Sequence, residues 1–538
     1  MSDRPHSQTL GDLLDELADK NGDAEAIIWR NYRLTYRAWR DRANELGRAL
    51  LTFGINPGDR VALLAPNRPE WLIAAFAIAK VGAITTAIST FSTSRELLWT
   101  LNHSGAKALI TVGSTRGREF LRIIRESCRN LNDSAPGAIT SETLPSLRTV
   151  IAIDEESKGG IIGWNDAIGP NARATDIDLT TAQNAVSPEK VCYILYTSGS
   201  TAEPKGVMLS HGPVISNGFD IGERQCLTAA DRLWFAVPLF WSFGSANALP
   251  AVITHGGCLV LQESFEAGEA LSLIEHEGCT VFYGMTNMAR ALRDHHEWSA
   301  TKVASMRTGL TIGLPEDIAF IIETTTATEL CNVYGSTETY GNASVCNSND
   351  PLDLRLTTQG LPLPGMRIRA VDPETRVPLP IGSVGELAVA GYVTPGYFEA
   401  PEMTGSAFSD GYFLTGDLGM VGEDGRVRFH GRLKEMIKTG GVNVAPLEVE
   451  AILAQHPAVK QAHVIGVSDK VKGEIVVAVI ELKADSLVDE TVLRAHCRTE
   501  LASYKVPARI AFKTAKEFPR TPTGKIYKPG LQEEFAQN

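Results

Sequence analysis

The sequence has little that would mark a secreted, disulfide-bonded or zinc-binding protein. Its eight cysteines are scattered over 538 residues, with no C-x-x-C pair and no cluster of histidine and cysteine. A disulfide framework or a zinc site is therefore disfavoured, and a reducing cytosol is the natural environment. The first residues, MSDRPHSQTLGDLL, are polar and lack the apolar core of a signal peptide. We predict a cytoplasmic protein.

The sequence also lacks an excess of positive charge and a long uninterrupted hydrophobic run. Its 51 lysines and arginines stand against 63 acidic residues, which gives a net charge of −12. This balance argues against a nucleic-acid partner, which needs a broad basic face, but a polyphosphate needs only a few local cations. The most apolar stretch, WLIAAFAIAKVGAITTAI (71–88), contains Lys80. We interpret it as a buried helix followed by a strand, without membrane insertion.

The composition and the periodicity are those of a globular α/β protein. Hydrophobic residues make up 43% of the chain and charged residues 21%, which is ordinary for a soluble protein. Up to about residue 350, apolar runs of strand length alternate with periodic segments of helix length. Residues 59–66 precede such a segment at 69–80, and residues 106–113 precede another at 115–127. This alternation predicts parallel sheets covered on both faces.

Two changes of pattern divide the rest of the chain. Residues 355–430 are rich in turn residues and short alternating strands, which suggests a small antiparallel barrel or sandwich. From about residue 434 the pattern becomes that of a compact α+β unit, of a size that can fold alone. We place the boundary in the charged stretch GRLKEMIK. The prediction is an N-terminal domain of residues 1–433 and a C-terminal domain of residues 434–538.

The stretch YTSGSTAEPKGVMLSH (196–211) combines hydroxyls, glycines and a lysine directly after the strand-like run VCYILY. Backbone N–H groups of a glycine-rich turn, hydroxyls and a lysine can together surround a polyanion. Gly199 and Lys205 have the spacing of a Walker A loop, but Pro204 and Gly206 replace its second glycine and its metal-binding hydroxyl. A Ser/Gly-rich surface turn is the ordinary interpretation. The buried strand before it favours a phosphate loop instead.

Further polar turns occur in NVYGSTET (332–339), DGYFLTGDLG (410–419), GRLKEMIKTGGVNVAPLEVE (431–450) and PRTPTGKIYK (519–528). Taken singly, each has a structural explanation. Asp417 fits an Asx turn, Glu338 a solvated turn and Lys525 a C-terminal tail. Taken together, these structural explanations would all have to hold at once. That coincidence favours a common function for the four stretches.

In order and spacing these stretches resemble the adenylate-forming superfamily of acyl- and aryl-CoA synthetases, adenylation domains of peptide synthetases and beetle luciferase. The resemblance covers nearly the whole chain and includes GDRVALLAPNRPEW (58–71) and GYFEAPEMTGSAFSDGYFLTGDLG (396–419). It implies an α/β fold whose large N-terminal domain has two doubly wound parallel-sheet subdomains and a small β-barrel at 355–430. A small, mobile α+β C-terminal domain follows. ATP, Mg²⁺ and CoA are the implied cofactor and co-substrates.

The resemblance also implies roles for individual residues. The loop from Thr197 to Lys205 should wrap the β- and γ-phosphates, and Tyr334 should stack on adenine. Asp417 should accept hydrogen bonds from the ribose, assisted by Arg432. The full set implied to bind the nucleotide is Thr197, Ser198, Gly199, Ser200, Thr201, Lys205, Tyr334, Gly335, Thr337, Asp417, Arg432 and Lys525.

Other roles follow from the same resemblance. The implied metal ligands are Glu338 and Thr201, and the implied catalytic residues are Lys205, Thr337 and Lys525. Lys434 occupies the hinge position between the domains. The stretch with Lys438, Gly440 and Gly441 resembles the loop that lines the CoA tunnel.

The substrate pocket is predicted to be apolar. VPLFWSFG places Trp241 where many acyl-CoA synthetases have a histidine that shapes the carboxylate end of the pocket. Amino-acid-activating members of the superfamily hold the ammonium group with an aspartate near this position, and PLFWSFGSANALP contains no carboxylate, so the resemblance argues against an α-amino acid as substrate. The predicted lining residues, each of which also fits an ordinary core, are Phe240, Trp241, Phe243, Gly284 and Met285. We expect an apolar aliphatic or aromatic carboxylic acid.

The predicted reaction activates an acid in two steps, through an acyl-adenylate and then a thioester to CoA. The protein's task in the first step is to position the groups and neutralise charge. Three alternatives remain: an acyl-AMP ligase that loads a separate carrier protein, a luciferase-like oxidation and a nucleotide-binding module without catalysis. The expected partners are the acid and CoA, with no nucleic acid, and a homodimer is the default expectation.

Overall fold

The computed structural model describes residues 3–169, 172–197, 204–439, 442–469, 472–484, 486–521 and 525–536. The first part of the chain alternates helices with short strands. Its elements are α1 (Leu10–Asn21), β1 (Glu25–Trp29), β2 (Tyr32–Thr35), α2 (Tyr36–Thr52), β3 (Arg60–Leu64), α3 (Pro69–Lys80), β4 (Ile84–Ala87), α4 (Ser94–Ser104), β5 (Ala108–Thr111), β6 (Ser114–Thr115), β7 (Arg118–Glu119), α5 (Phe120–Ser127), β8 (Thr149–Ala152), β9 (Ile161–Gly163), α6 (Trp164–Ala167) and α7 (Asp176–Asn184).

The alternation continues through the middle of the chain, which also contains a π-helix (Phe243–Ala248) and a 3₁₀ turn (Thr337–Thr339). The other elements are β10 (Val191–Thr197), β11 (Lys205–Ser210), α8 (His211–Arg224), β12 (Arg232–Phe235), α9 (Leu249–Ile253), β13 (Cys258–Leu261), α10 (Ala267–Glu277), β14 (Val281–Tyr283), α11 (Thr286–Asp294), β15 (Thr308–Thr311), α12 (Pro315–Thr325), β16 (Glu329–Tyr334), β17 (Ser344–Val345), α13 (Leu352–Thr357) and β18 (Leu361–Pro362).

The remaining elements are mostly strands. They are β19 (Arg367–Val371), β20 (Gly385–Ala390), α14 (Pro401–Ser406), β21 (Phe408–Ser409), β22 (Tyr412–Val421), β23 (Val427–Arg432), a 3₁₀ turn (Leu433–Glu435), β24 (Ile437–Thr439), β25 (Val442–Val444), α15 (Pro446–Ala454), β26 (Val459–Asp469), β27 (Gly473–Leu482), α16 (Glu490–Glu500), β28 (Arg509–Phe512) and α17 (Lys528–Ala536).

Two large, mainly parallel sheets form the body of the molecule. One has nine strands in the order β18-β17-β16-β15-β14-β12-β13-β1-β2, and the other has seven in the order β11-β10-β4-β3-β5-β8-β9. Antiparallel pairing is confined to the edges, at β16–β17–β18, β1–β2 and β10–β11. Central strands such as β5, β8 and β13 are buried along their whole length. The predicted parallel sheets with two covered faces are therefore confirmed.

The predicted helix over 69–80 is present with the same bounds. Pro69 occupies its first turn, where a missing N–H leaves no hydrogen bond unmade. Lys80 at its end is buried, and its ammonium pairs with Asp15 Oδ1 over 2.6 Å. This ion pair explains how a lysine is accommodated in the most apolar stretch. Among the described residues, no helix combines the length and the apolarity that a membrane crossing needs.

The prediction of one helical segment over 115–127 is wrong in its first part. β6 and β7 pair there as a short antiparallel hairpin, and the helix begins only at Phe120. Arg116 and Gly117 at the tip of the hairpin have φ values of 52° and 75°. Because both values are left-handed, a helix cannot continue through this point.

Residues 367–432 form a five-stranded antiparallel sheet, which fits the antiparallel pattern predicted there. β22 is its longest strand, and it pairs with β20 along one side and with β21 and β23 along the other. The chain then leaves this sheet through the 3₁₀ turn at Leu433–Glu435. The predicted domain boundary at residue 434 lies in this turn.

The C-terminal sheet has the order β25-β24-β27-β26, and β28 pairs with β27. Alternate residues of β26 face two different cores. Val464 belongs to the core that includes Leu453 and Leu493, whereas Ile465 belongs to the one that includes Leu531 and Phe535. The alternation of side chains along a strand therefore gives this small unit a core on each face.

Candidate active site

The predicted phosphate loop lies at the tip of the β10–β11 hairpin. Thr197 at the end of β10 is paired across the ladder with Lys205 at the start of β11. Residues 198–203 of the loop, including Ser198, Gly199, Ser200 and Thr201, lie outside the described residues. Thr197 Oγ1 is buried and has no hydrogen-bond partner in the described part of the chain. The hairpin thus presents a hydroxyl and an ammonium side by side.

Lys205 contacts Glu338, which follows the end of β16 in the nine-stranded sheet. Its Nζ lies 2.6 Å from Glu338 Oε1, and the carboxylate is buried. Burial favours a raised pKa of Glu338, but the charge of Lys205 and hydrogen bonds from Lys205 and Tyr397 hold this pKa below its ordinary value. The site therefore contains an ionised, buried carboxylate beside a cation.

Asp417 lies on β22, opposite Arg432 on β23. Its Oδ2 accepts a hydrogen bond of 3.0 Å from the Tyr334 hydroxyl, and its Oδ1 lies 2.9 Å from Arg432 Nη1. That ion pair lacks hydrogen-bond geometry, which leaves the buried Oδ1 without a donor among the described residues. Burial raises the pKa of Asp417 to about 6, although Arg432 and Tyr334 oppose this effect.

Tyr334 is buried, with its ring 5.9 Å from that of Phe429. Its predicted stacking on adenine stays a prediction. Gly335, predicted to contact the nucleotide, has a structural reason to be glycine. A Cβ at this position would lie 2.4 Å from the carbonyl oxygen of Gly341.

The predicted acid pocket borders the nucleotide motif through one polar contact. Thr337 Oγ1 lies 2.9 Å from Ser242 Oγ, next to Trp241. The Trp241 ring lies 6.1 Å from Phe91 and 5.7 Å from Phe240, measured between ring centroids. The three rings are therefore neighbours, and two of them are predicted lining residues.

The remaining predicted lining residues lie around the end of β14. Phe243 begins the π-helix, and its ring lies 5.3 Å from that of Tyr283. Gly284 and Met285 follow Tyr283 directly. Gly284 is buried and Met285 is half-buried. This places a second aromatic contact beside the backbone of Gly284.

Lys525 belongs to the C-terminal unit, and the residue taken as a whole is solvent-exposed. Protein atoms crowd its ammonium and lower the pKa of Lys525, and the nearby charge of Arg432 lowers this pKa further. Arg432, the partner of Asp417, is therefore near enough to Lys525 for its charge to affect this pKa.

Lys434 lies in the 3₁₀ turn between the five-stranded sheet and the C-terminal sheet. The next residue, Glu435, forms an ion pair with Lys528, whose Nζ lies 3.3 Å from Glu435 Oε2. The same Nζ lies 2.8 Å from Oε1 of the buried Glu450. Lys438 is exposed, and its backbone N–H donates to Glu474 Oε2. The CoA prediction for Gly440 and Gly441 falls outside the described residues.

The sequence alone predicted no role for Tyr397, although the stretch GYFEAPEMT that contains it is part of the family resemblance. The Tyr397 hydroxyl lies 3.0 Å from both Lys205 Nζ and Glu338 Oε1. The signal was the tyrosine in that stretch, but nothing local indicates which residues it contacts.

An aromatic cluster behind the phosphate loop was also missed. The Tyr196 hydroxyl hydrogen-bonds His103 Nδ1 at 2.8 Å, and the His103 ring stacks on Trp99 with centroids 4.6 Å apart. Tyr196 immediately precedes the loop. The end of β10 is therefore held against α4 by side-chain packing.

These residues suit a nucleotide with a divalent cation. Thr197 Oγ1 is buried and has no hydrogen bond to a described residue, and Asp417 Oδ1 is paired with Arg432 but accepts no hydrogen bond from a described residue, so both atoms could hydrogen-bond a ligand. Glu338 is an anionic oxygen ligand next to a lysine, and Mg²⁺ is commonly held by one or two carboxylates together with substrate phosphates. Glu338 could therefore hold the metal, and Lys205 the phosphates.

A family profile described as AMP-binding enzyme matches residues 14–398, and one described as AMP-binding enzyme C-terminal domain matches residues 448–525. The chain belongs to the AMP-binding enzyme family. Its adenylate-forming character, predicted from the motifs, is thereby confirmed.

Relatives that match over nearly the whole chain show to which group of AMP-binding enzymes the chain belongs. It is 35% identical to YngI of Bacillus subtilis (strain 168), named as a candidate acyl-CoA synthetase, over 99% of this chain and 98% of the relative. It is 31% identical to the mitochondrial medium-chain acyl-CoA ligase ACSF2 of Mus musculus, over 98% of this chain and 88% of the relative. The AMP-binding enzyme is therefore a member of the acyl-CoA synthetase family.

Among solved structures, the AMP-binding enzyme is similar to the anthranilate CoA ligase AuaEII in complex with anthranoyl-AMP. The TM-score is 0.83 at 28% identity, over 98% of each chain. The ligand in that structure is an acyl-adenylate. The fold predicted from the sequence resemblance, with its small C-terminal domain, is confirmed by this similarity.

Proposed function

We propose that this enzyme is an AMP-forming acid:CoA ligase with an apolar carboxylic acid as substrate. The observation that carries the proposal is the convergence of charged groups from three sheets. The Lys205–Glu338 pair joins the two large sheets. The Asp417–Arg432 pair lies in the five-stranded sheet, and the charge of Arg432 lowers the pKa of Lys525 of the C-terminal unit. Such a constellation can bind a nucleotide and meet charge that develops on its phosphates.

In the first half-reaction, a carboxylate oxygen of the acid attacks the α-phosphorus of ATP. A P–O bond forms, the bond to the β-phosphate breaks, and the products are acyl-AMP and pyrophosphate. Asp417 Oδ1 would accept a hydrogen bond from the ribose, and Lys205 would stabilise the phosphates. Lys525 would add positive charge at the reacting centre. A divalent cation, when bound to Glu338, supplies charge neutralisation and orients the phosphates.

In the second half-reaction, the sulfur of CoA attacks the acyl carbonyl, the thiol loses its proton, and AMP leaves. A lysine that covers the adenylate would obstruct this approach, so we infer that the C-terminal domain turns about Lys434 between the steps. The candidate residues towards CoA are Lys438, Gly440 and Gly441. The exposure of Lys438 is consistent with a role in binding a polyanionic co-substrate.

The substrate is an acid with an apolar body. Phe91, Phe240 and Trp241 form a group of neighbouring rings beside the Ser242–Thr337 contact, which joins the pocket to the nucleotide motif. The names of two similar proteins, a medium-chain acyl-CoA ligase and an anthranilate CoA ligase, fit an aliphatic or an aromatic acid. Both classes would pack against such rings.

ATP–pyrophosphate exchange over a panel of acids tests this function. The panel contains straight-chain acids of increasing length, benzoate, anthranilate and an α-amino acid. We expect exchange with apolar acids and none with the amino acid, and formation of acyl-CoA with release of AMP when CoA is added. Exchange without turnover on CoA, but with turnover on a phosphopantetheinylated carrier protein, would identify a carrier-loading ligase instead.

A further inference from the structure

The segment around Tyr397 connects two strands of the active site through its backbone. Phe398 N donates to Gly206 O over 2.8 Å, next to Lys205, and Thr394 N donates to Glu338 O over 2.7 Å. Met208 N, further along β11, donates to Gly396 O. One short segment is thus hydrogen-bonded to the backbone beside Lys205 and to that of Glu338.

The side chain of Tyr397 makes a second link between the same two residues. Its hydroxyl, Lys205 Nζ and Glu338 Oε1 form a closed triangle with sides of 3.0, 3.0 and 2.6 Å. The ammonium also lies 4.5 Å from the centroid of the Tyr397 ring. A hydroxyl can donate a hydrogen bond to the carboxylate and accept one from the ammonium at the same time, so all three contacts of the triangle can exist together.

Lys205 and a divalent cation would compete for the negative charge of the same carboxylate. Glu338 Oε1 is the atom that accepts from both Lys205 and Tyr397, and the carboxylate is buried. A metal ion cannot take this oxygen while the ammonium neutralises it, since the two cations would repel each other across a buried site. The phosphates of a nucleotide would offer Lys205 another anion.

We propose that Tyr397 is a positioning residue that holds Glu338 against Lys205, so that Glu338 takes up a divalent cation only when nucleotide phosphates draw Lys205 away. The Tyr397 hydroxyl keeps the carboxylate in place after Lys205 has moved. The inference rests on the proposed function only in taking Glu338 as the metal ligand and Lys205 as a phosphate ligand. It makes metal and nucleotide binding depend on each other.

The first test is a titration of the protein with Mn²⁺ at saturating ATP, without acid or CoA. Electron paramagnetic resonance measures how much Mn²⁺ is bound at each point of the titration. Tyr397→Phe keeps the ring and removes the hydroxyl. We expect Mn²⁺ binding to weaken by about tenfold or more, the scale of a lost hydrogen bond to a charged group. Tyr392→Phe, a change in the same segment outside the triangle, should bind Mn²⁺ like the unmodified protein.

The second test is the same titration without ATP. Lys205→Met should bind Mn²⁺ at least tenfold more tightly than the unmodified protein, because the carboxylate is then freed, and adding Glu338→Gln should abolish the gain. Equal Mn²⁺ affinity of Lys205→Met and the unmodified protein, or unchanged affinity in Tyr397→Phe with ATP, would overturn the proposal. Thermal melting of each variant checks that it is folded.

These titrations need no acid and no CoA. They therefore report on the triangle even if the panel of acids gives no ligase activity. Failure of the proposed function and failure of this inference can thus be told apart.

Discussion

The Tyr334 hydroxyl donates a hydrogen bond of 3.0 Å to Asp417, which joins the end of a strand in the nine-stranded sheet to the five-stranded sheet. The contact is buried, and its acceptor is the residue predicted to bind the ribose. Only one carboxylate oxygen is used by Tyr334. The other oxygen, Oδ1, is paired with Arg432 but accepts no hydrogen bond from a described residue, so we expect it to accept one from the ribose and the protonation state of Asp417 to affect nucleotide binding.

Nucleotide binding should weaken as the pH falls through about 6. Burial raises the pKa of Asp417 from 3.8 to about 6, so the carboxylate is ionised above this pH and protonated below it. A protonated Asp417 is a weaker acceptor for ribose hydroxyls. The KM for ATP in pyrophosphate exchange should therefore rise as the pH is lowered from 7.5 to 5.

Asp417→Asn provides the control for that pH profile, because it removes the titration and keeps the shape of the side chain. We expect its KM for ATP at pH 7.5 to be about tenfold higher, the scale of a hydrogen bond to a charged group. Dividing the two profiles cancels the titration of ATP itself. A ratio that does not vary with pH would assign the acid limb to another group.

Trp241→Gly should shift the substrate preference towards longer or bulkier acids. Trp241 packs against Phe91 and Phe240, so removing its ring opens space beside the Ser242–Thr337 contact. A change of this kind in an apolar pocket alters discrimination by roughly 10- to 200-fold. The measurement is kcat/KM over the acid panel. An unchanged ranking would place Trp241 outside the pocket.

Lys525→Ala should slow adenylate formation by roughly 10²- to 10³-fold, the scale for one preorganised electrostatic group. The charge of Arg432 lowers the pKa of Lys525, and under the proposed function the charge of Lys525 is needed only while pyrophosphate leaves. Thioester formation from chemically supplied acyl-adenylate should stay near normal. Lys516→Ala, which removes an exposed lysine of the same unit, is the matched control and should affect neither step.

Lys434→Pro should show the opposite pattern. Lys434 lies in a 3₁₀ turn, whose φ values are compatible with proline, so the observed arrangement should persist. The fixed φ would restrict rotation of the C-terminal domain. We expect pyrophosphate exchange to survive while CoA transfer falls. Equal damage to both half-reactions, measured separately, would show that the domains do not alternate about this residue.

Lys528→Met should destabilise the C-terminal unit. Lys528 contacts Glu435 in the turn and the buried Glu450, and its removal leaves Glu450 without this cation. Breaking a buried pair in this way costs roughly 3–5 kcal/mol in the free energy of unfolding. Thermal and urea unfolding measure the loss, and Lys528→Arg should retain most of the stability. A stable Lys528→Met variant would show that the pair contributes little.

Local patterns in the sequence correctly predicted many helices and strands of the fold. The helix at Pro69–Lys80 has the predicted bounds, and the strand predicted over 191–196 extends by one residue to Thr197. Apolar runs and the proline in the first turn are short-range signals, and short-range signals fix the kind of element. They failed at residues 115–119, where left-handed backbone at Arg116 and Gly117 makes a hairpin.

The sequence by itself determined most of the elements, the order of the motifs and the family. Only the tertiary structure decided that Tyr397 contacts Lys205 and Glu338, that Phe91 packs on Trp241 and that the charge of Arg432 acts on Lys525. These pairs are far apart in the chain and belong to different sheets or loops. Many half-buried aromatic and charged residues have similar local patterns. Which of them meet depends on how whole sheets and the C-terminal unit pack, and that packing is a property of all the side chains together.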